Sequence, residues 1–388
     1  MIRYLTAGES HGKCLIGILE GMPAGVGISE EEIAADLHRR QQGYGRGGRM
    51  SIEQDHAQIL SGVRYGVTLG SPLAVQIENR DWENWRDVMR VEATESEEQS
   101  TPLTTPRPGH ADYAGAVKYG QRDIRNVIER SSARETAVRV ALGAICRKFF
   151  AEVGITVGSH VVQIGPVKAE SDASRLTPEE INRLADASPV RCLDKAAERR
   201  MMEIIDEAKS RGDSVGGIFE VIASGLPVGV GSGVHGDRRL TALLAQAMLS
   251  IPAMKSVGFG MAEDVAAHFG SDVHDRMFAG SDGSVVRRTN RSGGVEGGMS
   301  TGEPLIIRVA MKPLSTLAQP LETVDLATGQ EAVALRERSD VCAVPAAAVV
   351  GEAVCMLALM NPYLEKTGGD SMSEIHAHNA ARPPRPWV

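Results

Sequence analysis

The chain has 388 residues, of which 42% are hydrophobic and 24% charged, and its formal net charge is −8. This length allows one large domain or two, with room for a substantial buried core. The acidic balance argues against a nucleic-acid-binding protein with a basic surface, so any positively charged site has to be a local group of arginines.

The N-terminal part of the chain combines strands with a capped helix. Residues 1–28 predict a strand, a glycine turn and a second strand. A helix is predicted from Ser29, because Ser29 and Glu32 have the spacing of a capping box. It ends in the Arg/Gly segment 39–49, whose glycines cannot sustain a helix. Residues 58–77 predict paired strands.

The middle of the chain begins with a long loop. Residues 92–110 are polar and contain prolines, and loops of this length inside a domain are usually functional or mobile. Residues 112–150 are then mostly helical by their apolar spacing, and residues 151–168 predict a short β segment. Another capped helix begins at Thr177, with Pro178 in its first position.

The C-terminal half follows the same periodicities. They predict, in chain order, a helix from Asp194 to Lys209, a strand over 214–224, a helix from Asp237 to Leu249, a strand from Leu305 to Met311, an apolar helix from Val344 to Leu359 and a flexible tail over 380–388.

The compartment is predicted from three features. Met1 to Tyr4 lead straight into polar residues without an apolar secretory core. The longest apolar run, Val344 to Met360, is interrupted by Glu352 and is too short and mixed to span a bilayer comfortably. The cysteines are odd in number without a C-x-x-C pair, which argues against a disulfide framework. They are Cys14, Cys146, Cys192, Cys342 and Cys355. We therefore expect a soluble cytoplasmic protein with no membrane partner.

A heptapeptide recurs within the chain. The motif Gly-x-Pro-x-Gly-Val-Gly occupies residues 21–27 and again 225–231, each time after an apolar strand and before an amphipathic helix. This predicts two similar halves, roughly 1–150 and 205–360, within a single domain covering 1–388. Two such halves with a shared core predict an α+β fold, a sandwich with an internal pseudo-two-fold repeat.

The turn Gly8-Glu9-Ser10-His11-Gly12 is the first candidate site. It formally matches G-x-S-x-G, so a serine hydrolase with Ser10 as nucleophile is one alternative. Only seven residues precede the motif, whereas a nucleophile elbow needs earlier strands, and this argues against that alternative. The other interpretation is that His11 acts as a general acid or base.

Arginines and a second histidine extend the candidate site. His110 lies in a Gly/Pro loop between Arg107 and Asp112. The segment 39–50 contains four arginines and no acidic residue, and further arginines lie close to glycine, serine or proline. Guanidinium groups bind phosphate and carboxylate oxygens bidentately. The arginines of interest are Arg39, Arg40, Arg46, Arg49, Arg107, Arg125, Arg130, Arg134 and Arg338.

Other functions are less well supported. The segment Gly45 to Arg49 resembles the Arg/Gly segments of RNA-binding proteins, but it occurs once in an acidic chain, so no nucleic-acid partner is expected. There is no P-loop and no convincing Rossmann fingerprint. Histidine pairs could be proposed as metal ligands, but without thiolates or H-E-x-x-H no metal site is expected. These pairs are His268 with His274 and His376 with His378. The residues alone thus predict an enzyme that binds a multiply phosphorylated or carboxylated ligand, and they leave the reaction open.

Several motifs together resemble the chorismate synthase family, in its longer bacterial form. They follow the family order from residue 6 to about residue 341. The motifs are Gly8 to Gly12, Glu20 to Gly25, Arg39 to Gly47, Arg107 to Asp112, Glu129 to Thr136, Gly293 to Gly298 and Arg338 to Asp340.

This resemblance implies a β-α-β sandwich with antiparallel sheets flanked by helices, assembled as a homotetramer. It implies the 1,4-anti elimination of phosphate from 5-enolpyruvylshikimate 3-phosphate, which gives chorismate and needs reduced FMN without net redox change. His11 would protonate the leaving phosphate, His110 would lie beside the reduced flavin, and Asp340 would assist proton removal through the flavin. Reduced flavin would come from NADPH or from a separate flavin reductase.

The same resemblance assigns binding residues. Substrate binding would fall to Ser10, Arg49, Arg107 and Arg134. Cofactor binding would fall to Arg40, Arg46, Arg130, Ser131, Ser132, Pro252, Ala253, Gly297, Lys312, Pro313, Leu314, Ser315, Thr316 and Arg338. Arg40 and Arg46 are also the positions tied to NADPH in members that reduce their own flavin.

Overall fold

The computed structural model describes residues 1–47, 54–93, 101–170, 173–281 and 283–381. The helices of these residues are α1 Glu30–Gln41, α2 Trp82–Trp85, α3 Asp112–Tyr119, α4 Arg125–Ser131, α5 Thr136–Glu152, α6 Pro178–Asp186, α7 Lys195–Ser210, α8 Leu240–Leu249, α9 Gly270–Val273, α10 Val344–Thr367 and α11 Met372–Ala380. The strands are β1 Arg3–Ala7, β2 Cys14–Glu20, β3 Ala57–Ser61, β4 Val63–Arg64, β5 Val67–Thr68, β6 Leu73–Glu78, β7 Thr156–Ile164, β8 Val167–Lys168, β9 Gly217–Ser224, β10 Met254–Phe259, β11 Met277–Ala279, β12 Val285–Arg287, β13 Val295–Glu296, β14 Met299–Ser300, β15 Leu305–Met311, β16 Glu322–Val324 and β17 Glu331–Val333.

The first sheet is antiparallel, with strand order β1-β2-β6-β3. Side chains alternate across it: Leu15 and Leu19 of β2 are fully buried, whereas Ile16 and Ile18 lie on the outer, partly exposed face. Helix α5 covers the inner face through its contacts with β2 and β6. The first sheet is therefore a half-buried layer whose pattern follows the period of two expected of strands.

The second sheet has the order β10-β15-β9-β7-β8, and helix α10 packs on β7 and β9. Helices α5 and α10 also pack on each other, and a Cβ added to Gly143 of α5 would lie only 2.4 Å from the Cβ of Ala353. Only glycine permits this approach of the two helices. The predicted α+β sandwich is confirmed: the two long helices lie between the sheets, because each has to cover the apolar inner face of one sheet.

The two copies of the repeated heptapeptide, after β2 and after β9, make equivalent hydrogen bonds. In the first copy, Thr68 Oγ1 donates to the carbonyl of Pro23 at 2.7 Å. In the second, Ser300 Oγ donates to the carbonyl of Pro227 at 2.6 Å. The same hydroxyl oxygens accept from the main-chain N–H three residues beyond each proline. This correspondence supports two related halves, whose boundaries stay a prediction.

Most predicted elements occur with small shifts at their ends. The capping boxes at Ser29 and Thr177 are both present. Helix α10 differs: it continues through Pro362 to Thr367 instead of ending at Leu359, because Tyr363 and Leu364 are buried in the core. Among the described residues, α10 is long and apolar enough to cross a bilayer, yet 89% of its most apolar 18-residue stretch is buried within the fold. A core helix of this kind has the same composition as a membrane span.

Candidate active site

The turn that carries His11 joins β1 to β2 and is held rigidly. Gly8 adopts φ +106°, and a Cβ there would lie 2.3 Å from the carbonyl oxygen of Cys14. The side-chain amide of Asn79 donates to the carbonyls of Glu9 at 3.1 Å and Gly12 at 2.7 Å. Since both ends of the turn are tied to one side chain, the position of His11 is fixed by the sheet.

The imidazole of His11 lies between a carboxylate and an indole. Its Nδ1 is 3.1 and 3.0 Å from the two carboxylate oxygens of Glu129, and its main-chain N–H donates to Glu129 Oε2 at 2.9 Å. The ring of Trp85 stacks on it with centroids 3.9 Å apart. Burial raises the pKa of Glu129, but the hydrogen bond and charge of His11 outweigh this, so that pKa lies below its ordinary value.

The neighbouring serine has a different environment. Ser10 is buried, and its hydroxyl donates to Ser132 Oγ at 3.1 Å. The Nδ1 of the adjacent His11 is occupied by Glu129. This arrangement lacks the serine–histidine hydrogen bond that activates a nucleophilic serine, so the serine hydrolase alternative has no support.

The second histidine is held by the same kind of pairing. Arg107 makes a bidentate ion pair with Asp112, with Nε–Oδ2 2.9 Å and Nη2–Oδ1 3.1 Å. His110 Nδ1 also bonds Asp112 Oδ1, and Arg107 Nη1 donates to Thr316 Oγ1 at 2.8 Å. Burial raises the pKa of Asp112, but its hydrogen bonds to His110 and Arg107 hold it well below the usual range. The carboxylate therefore remains charged and orients the side chains of Arg107 and His110.

A chain of charges joins the two histidines. Glu337 lies 3.4 Å from Arg107 and 3.7 Å from Arg125. Arg125 in turn donates to Glu129 at 3.0 Å, and Glu129 holds His11. The structure thus connects the two histidine loops, about 100 residues apart in the sequence, through a chain of hydrogen bonds and ion pairs.

Buried arginines lie beside this chain. Arg134 Nη1 and Arg40 Nη1 share Asp55, at 2.5 Å and 3.5 Å, and Arg40 also donates to Thr136 Oγ1 at 3.0 Å. The pKa of Arg40 is lowered to about 10, first by burial and then by the charges of Arg134 and Arg46, against which Asp55 acts only in part. The local excess of positive charge favours an anionic ligand.

The predicted acid Asp340 lies against the Arg/Gly segment. Its Oδ1 accepts from the main-chain N–H of Gly47 at 2.6 Å, and its Oδ2 is 3.1 Å from Nε of Arg46. Arg46 also affects Arg40 electrostatically, which places Asp340 at the edge of the arginine group. Both contacts hold the carboxylate of Asp340 against the Arg/Gly segment.

The predicted cofactor segment Lys312 to Thr316 meets the loop of His110. Lys312 Nζ donates to Ser315 Oγ at 2.7 Å, and Ser315 Oγ donates to the carbonyl of Gly109 at 2.7 Å. The main-chain N–H of Lys312 donates to Ala253 at 3.0 Å, which brings that residue alongside. The pKa of Lys312 is lowered, first by burial and then by the charge of Lys255.

Other predicted cofactor residues have structural contacts of their own. Arg130 donates to the carbonyls of Thr6 at 2.8 Å and Gly8 at 3.1 Å, so its guanidinium secures the end of β1. Ser131 ends α4, and the Oγ of Ser132 accepts from the main-chain N–H of Arg134.

The remaining predicted residues lie around the periphery. Arg338 is mostly exposed, 3.7 Å from Asp81, which accepts a hydrogen bond from Trp85 Nε1. Gly297 lies at the tip of the β13–β14 hairpin, away from the two histidine loops in the chain. Three further predicted residues lie beside residues already described or make main-chain contacts. Pro252 directly precedes Ala253, and the carbonyl of Pro313 accepts from the ammonium of Lys312 at 3.2 Å. The carbonyl of Leu314 accepts from Ser214 Oγ at 2.7 Å. Arg49 lies outside the described residues.

Four site residues were not singled out from the sequence: Asp55, Asn79, Trp85 and Glu337. Trp85 had a usable signal, because aromatic residues make up only 4% of the chain and two tryptophans occur in the polar stretch 82–85. Glu337 precedes the Arg338–Asp340 motif. Asp55 and Asn79 have no local signal, since their partners are distant in the sequence. Within the described residues, no group of three or more His, Cys, Asp or Glu side chains is arranged to hold a metal ion.

Comparisons with known proteins agree with the motifs. The family model of chorismate synthase matches residues 2–364. A chorismate synthase of Geobacillus sp. (strain WCH70) is 53% identical over 375 residues, and that of Bacillus subtilis (strain 168) is 52% identical over 377, each alignment covering 96% of both chains. A crystal structure of chorismate synthase superposes with TM-score 0.78 and 42% identity, covering 98% of this chain and 96% of that one. The resemblance seen in the motifs is confirmed, and the chain belongs to the chorismate synthase family of lyases.

Proposed function

We propose that the chain catalyses the 1,4-anti elimination of phosphate from 5-enolpyruvylshikimate 3-phosphate. The C6–H and C3–O bonds break, a conjugated diene forms, and chorismate, inorganic phosphate and a proton result without net redox change. The observation that carries this proposal is the pair of histidines, His11 and His110, which a chain of charged side chains connects beside the buried arginines Arg40 and Arg134.

The substrate carries a phosphate and two carboxylates, whose negative charge would offset the positive charge around Arg40, Arg46 and Arg134. Guanidinium groups bind such oxygens bidentately. His11 is suited to act as the acid, since Glu129 holds its Nδ1 and thereby orients the ring that would protonate the departing phosphate. Fixed cations near that oxygen stabilise the charge that develops on it.

The residues of the Lys312 segment fit a flavin phosphate. The ammonium of Lys312 makes hydrogen bonds to a serine hydroxyl and a carbonyl, both uncharged, and its lowered pKa reflects a cation in a partly buried place. Ser315 and Thr316 add hydroxyl donors next to the loop of His110. When bound, reduced FMN supplies an electron-rich ring close to the reacting carbons. Lys312 to Thr316, with Ala253, would hold it.

His110 and Asp340 have distinct tasks in this proposal. The Nδ1 of His110 is hydrogen-bonded to Asp112, which orients the ring, and His110 would lie beside the bound flavin. Asp340 lies between Gly47 and Arg46 and would assist removal of the proton from C6. Asp340 and His11 thus serve opposite directions of proton transfer.

A separate reductase is the proposed source of reduced flavin. Arg40, one of the two positions tied to NADPH, is 5% exposed and already donates to Thr136 and Ala133, which leaves it poorly placed to take a second phosphate. Anaerobic addition of NADPH to the protein with FMN should leave the flavin absorbance unchanged. Bleaching of that absorbance would instead support direct reduction.

Self-association as a homotetramer is the proposed assembly, in the cytoplasm. The outer face of the first sheet carries partly exposed apolar side chains on neighbouring strands, with Leu5 opposite Ile18 and Ile16 on the same face. An exposed apolar patch of this kind is typical of an interface between subunits. Analytical ultracentrifugation of the wild-type protein and of Ile18→Lys tests it: the wild type should sediment as a tetramer, and the variant as smaller species.

The elimination itself is tested by phosphate release. Purified protein incubated anaerobically with FMN, dithionite and 5-enolpyruvylshikimate 3-phosphate should release inorganic phosphate and form chorismate in equal amounts. Omission of FMN or of dithionite should abolish both products. Release of phosphate without chorismate would indicate a phosphatase and contradict the proposal.

A further inference from the structure

The carboxylate of Glu129 is bound to the His11 turn by an unusual set of contacts. It accepts from the main-chain N–H of His11 at 2.9 Å and lies 3.0 Å from Nδ1 of the same residue. Its own main-chain carbonyl accepts from the N–H of Ser10 at 2.9 Å. One acidic residue therefore fixes both the backbone and the ring of His11.

The surroundings prevent the ring from turning over. Glu129 is 2% exposed, and Arg125 donates to its Oε1 at 3.0 Å. Trp85 stacks on the imidazole, and the guanidinium of Arg125 lies 5.0 Å from the centre of the Trp85 ring. The indole is itself anchored, because its Nε1 donates to Asp81 at 3.1 Å. The ring of His11 thus lies against the indole of Trp85 on one face and against the carboxylate of Glu129 at Nδ1.

The chemistry of a carboxylate then decides where the proton of the neutral ring lies. An ionised carboxylate only accepts hydrogen bonds, so the Nδ1 that faces Glu129 has to carry a hydrogen. Arg125 and the two N–H groups of His11 keep Glu129 in that ionised form. The Nε2 atom is left as the nitrogen that can take up and release a proton.

We propose that Glu129 is a positioning residue that places the proton of neutral His11 on Nδ1, so that Nε2 is the nitrogen that exchanges a proton during the reaction. This inference rests on the proposed role of His11 as the acid of the elimination. It adds a carboxylate–histidine pair to the site, the arrangement by which a buried acid sets the tautomer of a catalytic histidine.

The variant Glu129→Gln tests this directly. The amide offers one accepting oxygen where the carboxylate offers two, so it cannot serve Arg125 and both N–H groups of His11 together. We expect the Nε2–H tautomer of His11 to become populated, kcat to fall on the order of 10²-fold, the contribution of a positioned general acid, and KM to change less than about threefold. Glu129→Asp, which keeps the carboxylate, should retain the Nδ1–H tautomer and stay at least ~10-fold more active than Glu129→Gln.

The tautomer is measured by NMR on protein labelled with ¹⁵N-histidine, with the His11 signals assigned by their loss in His11→Asn. Glu135→Gln is the matched control: Glu135 is also buried and pairs with Arg139 at 3.0 Å, so a general effect of losing a buried acid would appear there too. The control should keep the wild-type tautomer of His11 and the wild-type kcat.

Two independent readouts decide the outcome. The proposal is overturned if neutral His11 of the wild-type protein carries its proton on Nε2. It is also overturned if Glu129→Gln keeps either the wild-type tautomer of His11 or the wild-type kcat. The NMR experiment needs no substrate. If the wild-type protein releases no phosphate, the elimination is refuted, while the tautomer still shows whether Glu129 sets the proton of His11.

Discussion

Two neighbouring residues of α1, Arg39 and Arg40, enter two different clusters of buried charge. The cluster around Glu352, which is fully buried in α10, is closed. Its carboxylate oxygens accept from Arg39 at 2.8 and 2.9 Å, from Arg147 at 2.6 Å and from Ser159 Oγ at 2.5 Å. The cluster around Arg40, with Asp55 and Arg134, lies in the proposed active site and is called the open cluster.

The balance of charge separates the two clusters. Burial lowers the pKa of Arg39, but Glu352, Asp36 and Asp186 raise it above its ordinary value overall. Burial and the charges of other arginines instead lower the pKa of Arg40 to about 10. We infer that Arg39, whose charge is offset by several carboxylates, stabilises the fold. The positively charged neighbours of Arg40 instead favour the binding of an anion.

The largest expected effect separates catalysis from stability. His11→Asn and His110→Asn should each lower turnover by on the order of 10²- to 10⁴-fold, as expected for the loss of general acid–base catalysis. The melting temperature should change less than in a variant of the Glu352 cluster, because the side chains of His11 and His110 are 13% and 21% exposed, whereas Glu352 is fully buried. The measurement is anaerobic phosphate release with saturating FMN, with the exposed His235→Ala as control.

A histidine variant with wild-type turnover would remove that residue from the chemistry. A variant that unfolds would show that the open region also carries stability, and the contrast between the clusters would break down.

The second prediction concerns the closed cluster. Arg39→Met leaves Glu352 buried with one cation fewer, and breaking a buried ion pair in this way costs about 3–5 kcal/mol of unfolding free energy. The exposed Arg211→Met, which loses only a surface pair with Glu207, should cost less than about 1 kcal/mol. Urea denaturation measures both, and a loss in Arg39→Met no greater than in the control would contradict the structural role.

The third prediction concerns the Lys312 segment. Lys312→Gln removes a cation that has only neutral partners here, and we expect the dissociation constant of FMN to rise about tenfold, the value of one hydrogen bond to a charged group. Stability should be unaffected, in contrast to Arg39→Met. Titration by flavin fluorescence measures it, with the exposed Lys209→Gln as control. Unchanged FMN affinity would separate Lys312 from the flavin.

Local patterns predicted much of the fold. The capping boxes predicted the starts of α1 and α6, and the apolar run Leu305–Met311 was correctly predicted as strand β15. The glycine-rich loops of His11 and His110 were also visible in the sequence, because a close ligand needs exposed backbone there. Such features depend on residues a few positions apart, which a single sequence contains.

Features that depend on distant partners could not be predicted. Arg39 and Arg40 are identical in type and adjacent, yet α1 turns about 100° per residue and points them to different clusters. Arg130 lies in the same motif as Arg134, but its guanidinium binds the backbone of β1, whereas that of Arg134 reaches Asp55 in the site. Only the packing of α1, α4 and the sheet decides these partners.

The last prediction that compares the two clusters concerns the decrease of the unfolding free energy at acidic pH, an effect that is smallest near neutral pH. The pKa of Glu352 is held below its ordinary 4.5: burial raises it, but Arg39 and Arg147 outweigh this. Below pH 4.5 Glu352 binds a proton in the unfolded chain but not in the folded chain. The stabilisation that the ionised Glu352 gives the folded state is therefore complete above pH 4.5 and is lost as the pH falls further. Between pH 6 and 8 it should contribute no slope.

The variant Glu352→Gln therefore makes a double prediction. It should be less stable than the wild type at pH 7, because three arginines lose their shared carboxylate, and its stability should fall less steeply between about pH 5 and pH 3, where the wild type titrates. Urea denaturation across this range measures the slope. Equal slopes would mean that Glu352 is not the titrating group. The acid sensitivity would then come from other buried carboxylates whose pKa values are also lowered, among them Asp112, Glu129 and Glu220. The Glu352 cluster would in that case not limit the stability of the fold in acid.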